Sequence, residues 1–279
     1  MDTTNDQITE QQRQTWNKFS SGWEKWDQWV INWLAPIGEK LLADANLQDS
    51  DKVLDVSTGT GEPGLTAATK VSQVIATDVA EDMVQIARRN ATARGLNNFE
   101  TRVADAESLP FTGGEFDAVI CRLGVMYFAD PAVGVQQMAR VLKPGRKLSL
   151  AAWSDPAKNP WATTAAGIIN KMLNLPPPQP DTPGVFRCSQ PNKLTELLQQ
   201  AGLNDTQQTE ISGQAVFDSP EHYWEFVMDV VAPVATPLSN ADAPTREQAK
   251  QAVMEASRPY LQDGKVTFPW TCWVASGRK

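Results

Sequence analysis

The stretch VLDVSTGTGEPG, residues 53–64, decides the fold of this chain. Its first four residues are typical of a short buried strand, and the glycines after them are typical of a loop that leads into a helix. Because Gly59 and Gly61 have no side chain, the backbone can approach a ligand closely there. The dipole of the helix that follows favours negative charge at its start. This combination is typical of a nucleotide-containing cofactor bound at the edge of a parallel sheet.

Strand and helix patterns alternate over the first half of the chain. We expect strands at residues 53–56, 73–78, 99–103, 116–121 and 147–153, and helices at residues 62–70, 80–94 and 131–142. Strands that alternate with helices of this length predict an α/β fold, in which a parallel sheet has helices on both faces. Two further strands are expected at residues 206–217 and 266–275.

The segments outside this alternation are mostly helical. Residues 8–45 carry apolar residues at helical spacing, and Pro36 is expected to start a second helix there. Prolines are frequent over residues 155–184, which predicts an excursion outside the sheet that covers its ligand-bearing edge. Further helices are expected at residues 163–173, 194–201, 221–231 and 245–261.

The composition disfavours several classes of function. The 279-residue chain has a net charge of −8 and no dense basic run, which disfavours a nucleic acid as partner. Cys121, Cys188 and Cys272 suit neither a zinc site nor a disulfide framework, so we predict reduced thiols and no metal site. The N-terminus is polar, and no apolar run is long enough to span a bilayer. We therefore expect a cytoplasmic protein.

The glycine loop alone allows three interpretations. It can bind the S-adenosylmethionine of a class I methyltransferase, or a dinucleotide, because Gly59, Gly61 and Gly64 satisfy G-x-G-x-x-G, or it can merely form a tight turn. Asp78 closes the second strand, where a carboxylate can accept hydrogen bonds from both hydroxyls of a ribose. Both cofactors contain that ribose, and Asp78 can instead cap the next helix. Asp78 therefore does not decide between them.

Asp105 separates the two cofactors. It follows the third strand, where its carboxylate and the Ala106 amide can meet the edge of an adenine ring. Dinucleotide folds have no comparable acidic signature at this turn. Asp105 thus favours S-adenosylmethionine.

Five motifs, in order, resemble those of class I S-adenosylmethionine-dependent methyltransferases, in particular the ubiquinone/menaquinone C-methylases and related small-molecule methyltransferases. They are VLDVSTGTGEPG (53–64), ATDVAEDMV (76–84), VADAESLPF (103–111), FDAVICRLGVMYF (116–128) and LKPGRKL (142–148). The resemblance implies a Rossmann-like methyltransferase fold with a doubly wound, mostly parallel, seven-stranded sheet. It further implies a helical segment over residues 1–47 that closes over the cofactor, an S-adenosylmethionine-binding core over residues 48–153, and cover helices with the last strands over residues 154–279.

The resemblance also implies roles for individual residues. Asp55 and the loop backbone would hold the methionine end of the cofactor, Asp78 its ribose, and Asp105 its adenine amino group. The full implied set is Asp55, Ser57, Thr58, Gly59, Thr60, Gly61, Asp78, Val79, Met83, Asp105, Ala106 and Arg122. The chain departs from the family pattern at Ser57, where the first glycine of D-x-G-x-G-x-G is usual. It also has Met126 and Tyr127 where many relatives have histidines.

Three polar residues are candidates for catalysis. Methyl transfer is an in-line displacement for which the protein mainly supplies placement, and a base is needed only if the acceptor must lose a proton. His222, the only histidine, is expected on a cover helix, whereas Tyr127 and Arg122 follow the fourth strand near the expected methyl group. His222 can equally be a partly exposed helix residue, and Arg122 can pair with a carboxylate of the cofactor or of a neighbour. Catalysis by placement alone is a further alternative.

The ten tryptophans bear on the acceptor. Trp23, Trp26 and Trp33 lie in the N-terminal helices, and Trp161 and Trp224 in the expected cover. Each can simply pack between helices, yet as a group they predict an aromatic-walled site for a small, apolar or aromatic acceptor, methylated at oxygen or carbon. Two other functions stay open: an NAD(P)-dependent oxidoreductase, and a regulatory protein that binds the cofactor without turnover.

Overall fold

The computed structural model describes residues 3–177, 179 and 181–279 of the chain. Met1 and Asp2 of the expected N-terminal segment, and Pro178 and Pro180 of the expected proline-rich excursion, lie outside the described residues.

The strands are β1 (Lys52–Val56), β2 (Gln73–Asp78), β3 (Phe99–Val103), β4 (Phe116–Arg122), β5 (Leu142–Trp153), β6 (Asn204–Phe217), β7 (Leu261–Gln262) and β8 (Lys265–Arg278). The helices are α1 (Thr3–Lys25), α2 (Asp27–Ala45), α3 (Gly64–Ala68), α4 (Glu81–Ala93), α5 (Pro131–Val141), α6 (Pro160–Met172), α7 (Lys193–Gln200), α8 (Pro220–Val230), α9 (Ala232–Ser239) and α10 (Ala243–Ser257). Short 3₁₀ turns lie between several of them.

All the strands belong to one sheet with the order β3-β2-β1-β4-β5-β8-β6, and β7 pairs with β8. The first five strands are parallel, and β8 is antiparallel to both β5 and β6. This confirms the predicted doubly wound, mostly parallel α/β fold. The described sheet has eight strands rather than seven, because Asp263 and Gly264 turn the two-residue β7 back onto β8. Asp-Gly is a sequence signal for such a hairpin.

One predicted boundary, the start of the second helix, is wrong. Pro36 does not start a helix but lies inside α2, and the break between α1 and α2 falls at Trp26. A proline inside a helix removes one backbone hydrogen bond. The helix continues because Leu34, Ile37 and Leu41 on its inner face are almost fully buried against the sheet, so packing outweighs the missing bond.

Several helices cover one edge of the sheet. Helices α6, α8, α9 and α10 pack against one another, and α1 contacts both α4 and α8. The cover they form stands over the carboxyl ends of the parallel strands, since residues of α1, α6, α8 and α9 line the same cavity as the ends of β1, β2, β4 and β5. No described helix combines the length and the hydropathy that crossing a membrane requires.

Candidate active site

A cavity of about 520 Å³ lies at the carboxyl ends of the parallel strands. Val56, Asp78, Arg122 and Trp153 line it, and each of them is the last residue of its strand. Parallel α/β sheets bind their ligands at this edge, because the strand order reverses there and leaves a crevice.

The glycine loop forms the floor of one end of the cavity. Its amides are held in place, because Thr58 N donates to Thr77 O at 2.9 Å and Gly59 N donates to Asp78 Oδ2 at 3.0 Å. Ser57, Gly59 and Gly61 all have positive φ, at 58°, 55° and 120°. A side chain on Gly61 would lie 2.5 Å from Leu65, so only glycine fits there.

Asp55 lies beneath this loop and does not line the cavity. Its Oδ2 accepts hydrogen bonds from Thr58 Oγ1 at 2.7 Å and from Gly64 N at 3.1 Å, so it joins the loop to the start of α3. Its Oδ1 has no partner, and the side chain is fully buried. This burial raises the pKa of Asp55 to about 7. The structure thus places Asp55 behind the loop backbone.

Asp78 faces the cavity from the end of β2. Its Oδ1 accepts from Ala80 N and its Oδ2 from Gly59 N, both at 3.0 Å, and burial raises the pKa of the carboxyl. A carboxylate has about four lone-pair sites, so Asp78 can still accept from two ribose hydroxyls. The N-cap residue of α4 is Ala80, so Asp78 contacts the start of the helix without being its cap.

The adenine-side residues lie together at the same end. Val79, Met83, Asp105 and Ala106 all line the cavity, and Asp105 Oδ1 accepts from Glu107 N at 2.9 Å. Glu107 also lines it, although the sequence interpretation missed this residue. Its Oε1 accepts from Asp130 N at 3.0 Å, and burial raises the pKa of its carboxyl. Its position two residues after Asp105 could have indicated that Glu107 lies at the same site.

The cavity also has aromatic walls. We call the aromatic residues that line it the aromatic wall: Trp16, Trp23, Trp33, Tyr127, Phe128, Trp153, Trp161 and Phe226. The ring of Trp33 lies 5.6 Å from that of Trp153 at an angle of 21° and 4.9 Å from that of Trp161 at 76°. Trp33 is 7% exposed, so this wall is both packed and part of the cavity surface. Such surfaces suit flat, apolar ligands.

The three catalytic candidates separate in the structure. Arg122 and Tyr127 line the cavity, whereas His222 does not. The Nδ1 of His222 accepts from Asp218 N at 3.1 Å, and its ring packs 4.7 Å from the ring of Trp26. Burial raises the pKa of Tyr127 further above its usual value, so its hydroxyl stays protonated.

Most of the predicted residues therefore meet at one cavity. Those that line it are Ser57, Thr58, Gly59, Thr60, Asp78, Val79, Met83, Asp105, Ala106, Arg122 and Tyr127. Asp55, Gly61 and His222 do not. The lining suits S-adenosylmethionine together with an acceptor, since it combines carboxylates with free lone pairs and apolar rings.

The comparison with known families decides between the two cofactors that the glycine loop left open. Residues 53–145 match a family described as a methyltransferase domain. These residues form a methyltransferase domain. The match covers the glycine loop, Asp78, Asp105 and Arg122. The predicted resemblance to class I methyltransferases is confirmed over these residues, together with the predicted cofactor, S-adenosylmethionine.

Curated relatives match over part of their length. An uncharacterized protein of Mycobacterium tuberculosis is 34% identical over 151 residues, which are 54% of this chain and 51% of that protein. The demethylmenaquinone methyltransferase of Thermus thermophilus is 40% identical over 126 residues, 44% of this chain and 56% of the relative. The chain thus spans about half the length of these two relatives.

A solved structure supports the methyltransferase fold. The YcgJ protein of Bacillus subtilis superposes with a TM-score of 0.59 at 20% identity, over 87% of this chain and 97% of that one. At this identity the similarity shows the fold alone.

Proposed function

We propose that this protein transfers the methyl group of S-adenosylmethionine to a small, apolar or aromatic acceptor, at oxygen or carbon. The observation that carries the proposal is a single cavity with two kinds of lining. Asp78, Asp105 and Glu107 line it together with the aromatic wall and Arg122. An in-line displacement requires donor and acceptor to meet in one enclosed space, and this cavity provides it.

In this proposal the cofactor supplies the activated methyl group, and the chain supplies placement. The loop from Ser57 to Gly61 supports the methionine end through its backbone, while Asp55 holds the loop from behind. Asp78 accepts from the ribose hydroxyls, Val79 and Met83 pack against adenine, and Asp105 and Ala106 meet its amino group. The N-terminal helices exclude water in this proposal, which is supported by Trp16 and Trp23 of α1 in the cavity lining.

The aromatic wall supports the choice of acceptor. Eight aromatic residues line the cavity, which suits a flat apolar molecule better than a sugar or a charged polymer. The relative from Thermus thermophilus is named a demethylmenaquinone methyltransferase.

Methyl transfer itself tests the proposal. The purified chain is incubated with methyl-labelled S-adenosylmethionine and a panel of flat aromatic acceptors, and the label in extracted product is counted. We expect acceptor-dependent labelling with equimolar S-adenosylhomocysteine, and loss of labelling in Asp78→Ala. Tight binding of S-adenosylhomocysteine without transfer to any acceptor would instead support the regulatory alternative, and stabilisation by NADH but not by S-adenosylhomocysteine would refute the proposal.

A further inference from the structure

Trp153 presents an unused hydrogen-bond donor to the cavity. It is the last residue of β5, it lines the cavity, and it is only 3% exposed. Its Nε1 forms no hydrogen bond with any described residue. Nor is this nitrogen sealed by packing, in contrast to the indole nitrogens of Trp23, Trp33 and Trp270, which are buried without a partner. The small surface that Trp153 keeps therefore includes its N–H.

The rings packed against Trp153 offer no second open indole donor beside it. The ring of Trp33 lies 5.6 Å from that of Trp153 and the ring of Trp161 lies 4.8 Å from it, at angles of 21° and 54°. The Nε1 of Trp33 is sealed, and the Nε1 of Trp161 donates to Asn159 Oδ1 at 3.2 Å. Because both rings pack against it, the indole of Trp153 is held in one orientation, and its N–H has a fixed direction.

The strand order places Trp153 away from the proposed ribose site. The strands run β2-β1-β4-β5, and neighbouring strands lie about 4.8 Å apart, so the ends of β2 and β5 are about 14 Å apart across the sheet. Asp78 ends β2, and the glycine loop follows β1. Arg122 of β4 pairs with Ala151 of β5, and Trp153 lies two residues further along β5. The space beside Trp153 is therefore the part of the cavity that the cofactor, as placed in the proposed function, leaves for the acceptor.

A donor held in such a place selects its ligand. A ligand that fills this space displaces solvent from the N–H, and the donor is then left buried and unpaired unless the ligand accepts the hydrogen bond. A site built to hydrogen-bond its substrate rejects an analogue without the matching group more strongly than an apolar site rejects a missing methylene. The indole N–H only donates, so the matching group is one that only accepts, such as a carbonyl oxygen.

We propose that Trp153 determines acceptor specificity, with its Nε1–H donating to a carbonyl oxygen of a flat aromatic acceptor. This inference rests on the proposed function and narrows its substrate class to aromatic carbonyl compounds. Trp153 binds and orients the acceptor and takes no part in the transfer of the methyl group.

Two ligands of nearly the same shape test the proposal: 2-acetylnaphthalene, a ketone, and 2-isopropenylnaphthalene, an alkene in which a CH₂ group replaces the carbonyl oxygen. Each is dialysed to equilibrium against the full chain saturated with S-adenosylhomocysteine, and chromatography of both compartments gives the dissociation constant. The ratio of the two constants is compared between variants, because this comparison cancels the difference in hydrophobicity between the ligands.

The variants Trp153→Phe and Trp161→Phe form a matched pair, because each removes an indole N–H from a ring that lines the cavity. We expect Trp153→Phe to weaken the ketone by about fivefold or more relative to the alkene, since only the ketone loses a hydrogen bond. In Trp161→Phe the ratio should stay within about twofold of the wild type, because the N–H lost there is already bonded to Asn159. A thermal melt shows whether each variant folds.

A measurement on the wild type needs no variant. The carbonyl stretch of a ketone falls in frequency when its oxygen accepts a hydrogen bond. Infrared difference spectra of bound 2-acetylnaphthalene should therefore show this band below its frequency in hexane. An unshifted band would overturn the inference even if Trp153→Phe does not fold.

The outcomes that overturn the inference are distinct from failure of the proposed function. An unchanged ratio in folded Trp153→Phe overturns it, as does binding of neither ligand. A ratio that changes in Tyr127→Phe but not in Trp153→Phe assigns the donor to Tyr127 and also overturns it. In each of these cases the proposed function stands if the chain binds S-adenosylhomocysteine and methylates another aromatic acceptor. Failure to bind S-adenosylhomocysteine would refute the proposed function as well.

Discussion

Ser57 and Gly124 fit against each other with no room for a further side chain. A Cβ on Gly124 would lie 2.5 Å from the Cβ of Ser57 and 2.6 Å from its hydroxyl oxygen. Ser57 itself has a positive φ of 58°, at the position where related glycine loops have their first glycine. The serine side chain at position 57 therefore requires a residue without a side chain at Gly124, in the loop after β4.

We predict that Gly124→Ala destabilises the chain by about 1–3 kcal/mol, because the added methyl group overpacks the contact with Ser57. The double variant Ser57→Gly with Gly124→Ala should recover part of this loss, since the serine side chain is then absent. Urea unfolding measures both. The matched control is Gly167→Ala in α6, where an added Cβ meets nothing within 4 Å and where alanine should stabilise. An equal loss of stability in the single and the double variant would contradict the prediction that the methyl group overpacks against Ser57.

Asp78→Ala should weaken binding of S-adenosylhomocysteine by more than about tenfold, because charge-assisted hydrogen bonds to the ribose, worth about 1.5–3 kcal/mol, are lost. Isothermal titration calorimetry measures the affinity. Asp82→Ala, on the exposed side of α4, is the matched control and should bind as the wild type does. Unchanged affinity in folded Asp78→Ala would show that this residue does not bind the ribose.

Asp55 predicts a pH dependence of stability with a definite sign. Burial raises its pKa from 3.8 to about 7, so between these values the folded chain holds a proton that the unfolded chain has released. Stability from this group is therefore present at low pH and is lost as pH rises through about 7. We expect the free energy of unfolding, relative to Asp55→Asn, to fall as pH rises from about 4 to about 7 and to level off above that. A difference that rises over this range would contradict the assignment.

His222→Ala should leave methyl transfer within about twofold of wild type, because His222 does not line the cavity. Its loss should cost a modest amount of stability instead, since the ring packs on Trp26 and the Nδ1 accepts from Asp218 N. Steady-state kinetics and thermal unfolding separate the two effects. A large fall in kcat with unchanged stability would restore His222 as the base that the sequence suggested.

The sequence predicted the central strands and the cofactor end well, for a physical reason. Central parallel strands are buried on both faces and read as short apolar runs, and Asp55 and Asp78 lie at the ends of such runs. Local sequence therefore carries the information that places them at one edge.

The sequence-based predictions were wrong where contacts between residues far apart in the chain determine the structure. Pro36 stays inside a helix because the inner face of α2 packs on the sheet, and His222 is turned to Trp26 by the packing of α8 on α1. None of these contacts is visible in the local pattern of residues.

A crystal structure of the chain with S-adenosylhomocysteine tests the central claim most directly. The account predicts the ligand in the cavity at the strand ends, with ribose hydroxyls on Asp78, the adenine amino group near Asp105, and the sulfur directed towards the aromatic wall and Arg122. Density for the ligand at another place, or an adenosine turned away from Asp78 and Asp105, would contradict it.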